Sequence, residues 1–396
     1  MKPARNLNPA RHHWAHRLVL VACVALIAAC GSDPGTDPAA APTSAPEPSD
    51  ETSAGPEGEP ITIRYASVGA TGSEIMDQVE WFAEQVTERT NGQVIFDLFL
   101  DGTLVGAAET LAAVLDGRAD VGYLCECYNP NEFPIWSYFS MPFHGNNAEA
   151  FMHTAADLYE GDTALTAEFE ELGLHANWFH TIGAGLSYLR EPIDGIEGLD
   201  GLRLRAIGRT AAALPTRGAE AVAMDPGEIY ESVQRGVIDG VGTFFFPTAH
   251  AFGIHEVGPH IVDMGTGFYA SIGFVINRDL WDSLPADVRA VFDEVSAELM
   301  DGGKAIEIYE EASGEACDAF LEEGGSVTIF NQADVTAWQE EVLPDMVEEW
   351  TESATASTGL TVEEADAFRQ LFHDTYQENV AGSSHVPDAE ACAQQQ

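Results

Sequence analysis

Basic side chains are scarce in this chain. Its 396 residues include 17 lysines and arginines against 65 aspartates and glutamates, which gives a formal net charge of −48 at neutral pH. Lysine occurs only at Lys2 and Lys304. Nucleic-acid binding needs basic patches that neutralise phosphates, so this composition excludes a nucleic-acid partner. The acidic balance keeps a protein soluble through self-repulsion, and it fits a saline habitat and an acidic exported protein equally well.

Sequence motifs of enzymes are missing as well. The chain has no G-x-S-x-G nucleophile elbow and no phosphate-binding loop. His255 and His260 are one residue too far apart for a helical zinc-binding pair, and the helix-breaking Pro259 lies between them. We therefore expect no catalytic residues, no metal site and no cofactor.

The first 29 residues have the charge pattern of an export signal. They contain four basic residues and no acidic one, and they end in an apolar run at residues 18–29 that is shorter than the ~20 residues of a membrane span. Residues 27–30, Ile-Ala-Ala-Cys, resemble a bacterial lipobox, so we predict that Cys30 is lipidated. A plain secreted protein is the alternative. Residues 30–60 are rich in proline and acid, and we expect them to form a disordered tether.

Four cysteines remain in the part of the chain that we expect to fold. An even number fits an oxidising compartment. A disulfide between near neighbours in an extended strand is strained, and pairing with distant cysteines is equally allowed, so all three connectivities stay open. The four are Cys125, Cys127, Cys317 and Cys392.

The order of hydrophobic patterns predicts an α/β fold. Residues 61–67 alternate like a strand, and residues 74–90 repeat apolar side chains at helical spacing. A β-α-β-α-β order over residues 61–125 implies a parallel sheet covered by helices. Later segments are predicted as strands at residues 174–183, 186–190, 236–240 and 268–277 and as helices at residues 285–312, 335–354 and 362–379.

Five segments carry a resemblance to a known family. They read VIFDLFLDGTLVG at residues 94–106, LDGRADV at 115–121, GLDGLRLR at 198–205, EIYESVQRGVIDG at 228–240 and GFVINRDLWDSLP at 273–285. In this order and spacing they resemble the solute-binding proteins of TRAP transporters (tripartite ATP-independent periplasmic transporters), of the dicarboxylate and sialic-acid type. The resemblance extends over about residues 61–354.

The resemblance implies a two-lobed fold of the periplasmic-binding-protein type, with a ligand cleft between the lobes and a long helix spanning both. We expect lobe I at residues 61–183 and 267–307, lobe II at residues 184–266 and 308–380, and an irregular tail at residues 381–396.

The resemblance also implies a function. The protein would capture an organic acid outside the cytoplasmic membrane, where its lipid anchors it, and deliver the acid to TRAP membrane subunits on other chains. The alternatives are a binding protein of another importer, a sensor and a surface-anchored enzyme. Finding a gene for TRAP membrane subunits beside this one would distinguish the importer from a binding protein of another importer or a sensor.

Arg205 matches the arginine with which the family grips the carboxylate of its solute. The planar guanidinium suits this role because it meets a carboxylate with two parallel hydrogen bonds. A salt bridge between Arg205 and a nearby acidic residue is the alternative. The second arginine of sialic-acid-type members is replaced by Gly185, and residues 241–246, VGTFFF, replace a segment with a ligand-binding asparagine. These departures favour a monocarboxylate with an apolar body, unless the phenylalanines only fill the core.

The remaining candidates for ligand binding lie at the ends of predicted elements. Ser73 and Glu74 begin the first helix, where they contact solute or only cap the helix. The third strand ends where open α/β sheets bind ligands. The thiols of Cys125 and Cys127 and the carboxylate of Glu126 at this end are compatible with a metal site, but a disulfide or packed thiols are favoured. The candidates from these places and from the segment at residues 241–246 are Tyr123, Cys125, Glu126, Thr243 and Phe244.

Overall fold

The computed structural model describes residues 59–396, so the predictions for the signal peptide, for Cys30 and for residues 31–58 of the tether lie outside the described residues. The strands are β1 Ile61–Ala66, β2 Val94–Phe99, β3 Val121–Cys125, β4 Leu174–Phe179, β5 Leu186–Leu189, β6 Arg203–Arg205, β7 Glu220–Val222, β8 Gly240–Phe244, β9 His260–Asp263, β10 Ile272–Asn277 and β11 Ser326–Ile329.

The α-helices are α1 Glu74–Arg89, α2 Thr110–Leu115, α3 Ala148–Glu160, α4 Ala164–Glu171, α5 Pro226–Gln234, α6 Phe246–Ala251, α7 Ile254–Val257, α8 Arg278–Ser283, α9 Ala286–Leu299, α10 Lys304–Glu322, α11 Gln332–Thr358, α12 Val362–Gly382 and α13 Asp388–Ala393. Between residues 59 and 396 none of the helices combines the length and the apolar character that a membrane span requires.

The first sheet has five strands in the order β2-β1-β3-β10-β4 and forms, with its helices, lobe I. β1 pairs in parallel with β2 and β3, whereas β10 runs antiparallel between β3 and β4. The helical pattern predicted for α1 is confirmed, because Ile75, Val79, Phe82 and Val86 are buried in one core with the sheet. The carboxyl ends of β1, β3 and β4 consequently share one edge.

The second sheet has six strands in the order β11-β9-β5-β8-β6-β7 and forms lobe II. β5 is antiparallel to both of its neighbours, and the other pairs are parallel. The side chains of lobe II pack into two clusters separate from the core of lobe I. Arg205 and Phe244 end β6 and β8 at the same edge of this sheet.

Crossing segments and the helices α10 and α11 connect the lobes within residues 59–396. Ala305 of α10 packs into the core of lobe I and Phe320 into a core cluster of lobe II. Residues 180–185 and 264–271 cross side by side, because Gly185 N–H donates to Gly267 O at 2.9 Å. α11 is 27 residues long and contains Pro344. Trp338 of α11 packs into lobe II and Trp350 into lobe I. The two-lobed α/β fold with a long helix spanning both lobes is therefore present.

Two predicted strands begin later in the chain than expected. β8 begins at Gly240 rather than Gly236, because Gly236 has a φ of 71° and closes the turn after α5. β10 begins at Ile272 rather than residue 268, and the residues before it cross between the lobes without strand pairing. In both places the apolar run predicts a strand, but the first residues of the run form a connection instead.

The assignments of α12 and of the tail were wrong. α12 packs along α3, and Phe368, Phe372 and Tyr376 join the core of lobe I rather than lobe II. The tail at residues 381–396 is not irregular throughout, because it contains α13. A disulfide between Cys317 and Cys392 fastens α13 to α10. Helical periodicity identifies a helix but not the lobe against which it packs.

Candidate functional site

The strand ends of the two lobes meet in one buried region, which we call the cleft. Arg205 at the end of β6 donates from Nη2 to the hydroxyl of Tyr128, which follows β3, at 3.3 Å. Thr248 of α6 donates from its hydroxyl to the carboxylate of Glu74 at the start of α1. The elements that the sequence indicated as ligand-binding ends are thus brought together across the lobes.

Arg205 is completely buried. Its Nε and Nη2 donate to Met224 O at 3.3 Å, and Nη1 donates to Thr243 O at 3.4 Å. Its guanidinium carbon lies 5.4 Å from the centroid of the Phe244 ring. Within residues 59–396 no acidic side chain hydrogen-bonds Arg205, so the alternative of an Arg205 salt bridge does not hold there.

Arg203, two residues earlier in β6, has a different role. Its Nε and Nη2 bind both carboxylate oxygens of Asp239, at 3.0 and 2.8 Å. This partly exposed pair joins β6 to the residue before β8, and it lies away from the cleft. The two arginines of one short strand therefore differ: Arg203 forms a structural ion pair, and Arg205 is a buried guanidinium without a counter-ion among residues 59–396.

The sequence left two possible roles for Ser73 and Glu74 at the start of α1, which are capping the helix and contacting solute. Ser73 Oγ accepts from Met76 N at 3.4 Å and caps the helix. Glu74 is only 1% exposed; Oε1 accepts from Thr248, and Oε2 has no hydrogen-bond partner among the described residues. Burial raises the pKa of Glu74 to about 8.

The end of β3 presents aromatic and acidic side chains, but no thiol. Cys125 forms a disulfide with Cys127, so neither metal binding nor a free thiol applies there. Glu126 is buried; its Oε2 accepts from Ser271 N at 3.0 Å, its Oε1 has no partner in the described chain, and burial raises its pKa to about 8. Tyr123 is half-buried beside His180, with 5.8 Å between the ring centroids.

The segment at residues 243–246 is partly cleft wall and partly core. Thr243 is buried, its carbonyl accepts from Arg205, and its hydroxyl has no partner within residues 59–396. The Phe244 ring lies against Arg205, and the Phe245 ring stacks on Tyr269 with centroids 4.7 Å apart. Phe246 packs within a core cluster of lobe II.

Gly185 leaves space that an aromatic ring fills. A Cβ atom at Gly185 would lie 2.7 Å from Cδ1 of Tyr269 and 3.2 Å from Cβ of Thr243. Tyr269 therefore occupies the region into which a side chain at position 185, an arginine in sialic-acid-type relatives, would project. Burial raises the pKa of the Tyr269 hydroxyl, and the positive charge of Arg205 lowers it.

Four residues of the cleft are not among those predicted from the sequence to bind solute. They are Tyr128, His180, Thr248 and Tyr269. His180 directly follows β4, so the rule that selected the end of β3 would also have found it. Both nitrogens of His180 are without partners in the described chain, and burial lowers its pKa to about 3. Thr248 carries no comparable signal, because its contact comes from the other lobe.

Metal chemistry has no support from the described residues. Between residues 59 and 396 no group of three or more histidine, cysteine, aspartate or glutamate side chains is arranged to hold an ion. The cleft instead combines one buried guanidinium, aromatic walls and several polar atoms without partners. Such an arrangement suits the binding of a small polar molecule.

Comparisons with known proteins identify similar sequences and a similar fold. The C4-dicarboxylate-binding periplasmic protein DctP of Rhodobacter capsulatus is 27% identical over 316 residues, covering 78% of this chain and 92% of that protein. A monocarboxylate 2-oxoacid-binding periplasmic protein of Nostoc is 25% identical over 327 residues, covering 77% and 85%. A TRAP solute-binding protein of Rhodoferax ferrireducens, solved with copurified benzoate, has a TM-score of 0.71 at 19% identity, covering 81% of this chain and 99% of that one.

A family model decides the assignment. The model for bacterial extracellular solute-binding protein, family 7, matches residues 65–353, which is most of the chain. Members of this family bind solutes and are not enzymes, in agreement with the expectation from the sequence. The chain therefore belongs to bacterial extracellular solute-binding protein family 7, and it is the solute-binding subunit of a TRAP-type importer.

Proposed function

We propose that Arg205 binds the carboxylate of an organic monocarboxylate with an apolar body. The observation that carries this proposal is a fully buried guanidinium that contacts two carbonyls, a hydroxyl and a ring, but no carboxylate within residues 59–396. A buried charge without a counter-ion costs several kcal/mol. A solute carboxylate supplies the counter-ion through two parallel hydrogen bonds.

The walls of the cleft support an apolar solute body. The Phe244 ring lies against Arg205, the Phe245 ring stacks on Tyr269, and Gly185 offers no second guanidinium for a second carboxylate. Arg209, four residues after Arg205, already donates from Nε and Nη2 to the Ser137 hydroxyl. The benzoate found in the Rhodoferax protein is a solute of the proposed class.

Lobe closure is part of the proposed binding. The cleft side chains of both lobes are largely buried, and the contacts of Arg205 with Tyr128 and of Thr248 with Glu74 join the lobes. A solute can enter only when these contacts open, and the crossing segments at residues 180–185 and 264–271 provide the hinge. The binding energy of the solute then favours the closed arrangement.

We also propose the location and the partners. Export by the signal at residues 1–29 and lipidation of Cys30 would anchor the protein to the outer side of the cytoplasmic membrane through the tether at residues 30–60. The membrane subunits of the importer, on other chains, would receive the solute and move it with an ion gradient.

Titration calorimetry with benzoate, hexanoate and succinate tests the proposed site. We expect the two monocarboxylates to bind more tightly than succinate. Arg205→Ala should weaken binding by about thirtyfold or more, since truncating one partner of a buried charge pair costs about 2–5 kcal/mol.

Arg203→Ala is the matched control, because it removes an arginine of the same strand that pairs with Asp239 outside the cleft. Unchanged affinity in a folded Arg205→Ala variant would refute the carboxylate contact. Tighter binding of succinate than of both monocarboxylates would refute the apolar monocarboxylate.

A further inference from the structure

Glu74 places a buried carboxylate in the cleft without satisfying both of its oxygens. Oε1 accepts from Thr248 of the opposite lobe, whereas Oε2 has no partner among the described residues. The helix cap is already provided by Ser73, so capping does not explain Glu74. A buried acceptor without a donor is costly, and a group supplied by the solute would remove this cost.

The segment at residues 243–248 links Glu74 to the arginine that we propose as the carboxylate contact. Thr243 O accepts from Arg205 Nη1 at 3.4 Å, and the Thr248 hydroxyl donates to Glu74, so both side chains lie against this one segment. Arg205 comes from lobe II and Glu74 from lobe I. A solute held between the lobes can therefore reach a guanidinium with one end and a carboxylate with the other.

The side chains around Glu74 favour a cation rather than another acid. No basic side chain within residues 59–396 hydrogen-bonds Glu74, and a second buried carboxyl, Glu126, also keeps one oxygen without a partner. The hydroxyl of Tyr123 lies close enough to Glu74 for that carboxylate to raise its pKa, although burial has the larger effect. Because burial raises the pKa of Glu74 to about 8, its carboxyl is mostly protonated at neutral pH in the empty cleft. An ammonium group beside it favours the ionised form and binds it with charge-assisted hydrogen bonds.

Resting on the proposed function, we propose that the solute is zwitterionic: its carboxylate binds Arg205, and an ammonium group at its other end donates to Glu74 Oε2. The apolar part of the solute lies between them against the rings of Phe244, Phe245 and Tyr269. Glu74 thus selects amino acids with separated charges over simple acids of the same length. Entry of the ammonium group gives Glu74 the counter-ion that the protein itself does not provide.

A length series of isosteric pairs tests this specificity by titration calorimetry. The probes are 4-aminobutanoate, 5-aminopentanoate and 6-aminohexanoate, each beside the fatty acid with a methyl group in place of the ammonium: pentanoate, hexanoate and heptanoate. We expect at least one amino acid to bind about tenfold more tightly than its partner, and Glu74→Gln to reduce this ratio to within about twofold. Glu80→Gln, which neutralises an exposed carboxylate of α1, should keep the ratio.

The outcomes separate the two proposals. If Arg205→Ala weakens the binding of every fatty acid and every amino acid, this supports the carboxylate contact, whether or not Glu74 binds an ammonium group. Tighter binding of the fatty acid in every pair, or the same ratio in Glu74→Gln as in the original protein, overturns the zwitterion. Equal melting temperatures of the variants without solute show that these differences do not arise from unfolding.

Discussion

Gly185 controls the shape of the cleft beside Arg205. The Tyr269 ring and the Thr243 side chain approach this glycine so closely that even a Cβ atom would touch both. Since Tyr269 also stacks on Phe245, the ring cannot move aside without disturbing the aromatic wall. The absence of an arginine at this position is therefore tied to the presence of the tyrosine.

Replacing Gly185 by alanine tests this packing at the scale of one methyl group. We expect Gly185→Ala to lower the free energy of unfolding by about 1–3 kcal/mol, the usual cost of overpacking a filled site, and to weaken benzoate binding. Urea denaturation gives the stability, and titration calorimetry gives the affinity. Gly227→Ala is the control, because no atom lies within 4 Å of a Cβ there and alanine suits the first turn of α5. Equal stability of the two variants would contradict the close packing.

The residues of the cleft differ in how far the sequence could predict them. Arg205 was found because it ends a strand in a recognisable segment, and Glu74 because it begins a helix after a glycine-rich turn. Thr248 and Tyr269 act through contacts between lobes, and such contacts leave no periodic pattern in either segment. The disulfide partner of Cys125 could not be chosen either, because all three connectivities satisfy the spacing.

The C-terminal helix α13 depends on a covalent bond to stay in place. It has only six residues, and isolated helices of this length are unstable in water. Cys392 joins it to Cys317 of α10, and its buried Asp388 accepts from Tyr309 and Ser313 of the same helix. A segment expected to be irregular is thereby fixed onto the folded body.

The two disulfides should contribute very differently to stability. The Cys317–Cys392 bond spans 75 residues, and its removal by serine substitution should cost about 4 kcal/mol through unfolded-chain entropy. The Cys125–Cys127 bond spans two residues, so the same double substitution there should cost much less by this mechanism. Urea denaturation measures both losses. Carboxypeptidase should shorten the first variant faster, and equal losses in the two variants would argue against the entropic explanation.

Elements were easier to predict than their packing partners. The apolar faces of α1 and α12 follow from spacing along the chain, and both helices are present. The contact of α12 with α3 joins segments about 200 residues apart and depends on which surface remains uncovered when the chain folds. The lobe to which a C-terminal helix belongs is therefore decided by the whole molecule.

The charge of the whole molecule bears on how it is held at a membrane. Removal of residues 1–29 would leave 13 basic against 65 acidic side chains. Anionic membrane surfaces attract clusters of basic residues, and this chain offers none. Between residues 59 and 396 there is also no helix suited to span a bilayer. We therefore propose that acyl chains on Cys30 hold the protein at the membrane.

Fractionation of cells that produce the chain tests the anchor. We expect the original protein to sediment with membranes, to resist extraction by concentrated salt and to dissolve in detergent, because acyl chains are held by the hydrophobic effect rather than by charge. Cys30→Ser should move the protein to the soluble extracytoplasmic fraction. Cys23→Ser, which changes a cysteine within the apolar run, should leave it with the membranes. Release of the original protein by salt, or continued sedimentation of Cys30→Ser, would show that another contact holds this acidic protein at the membrane.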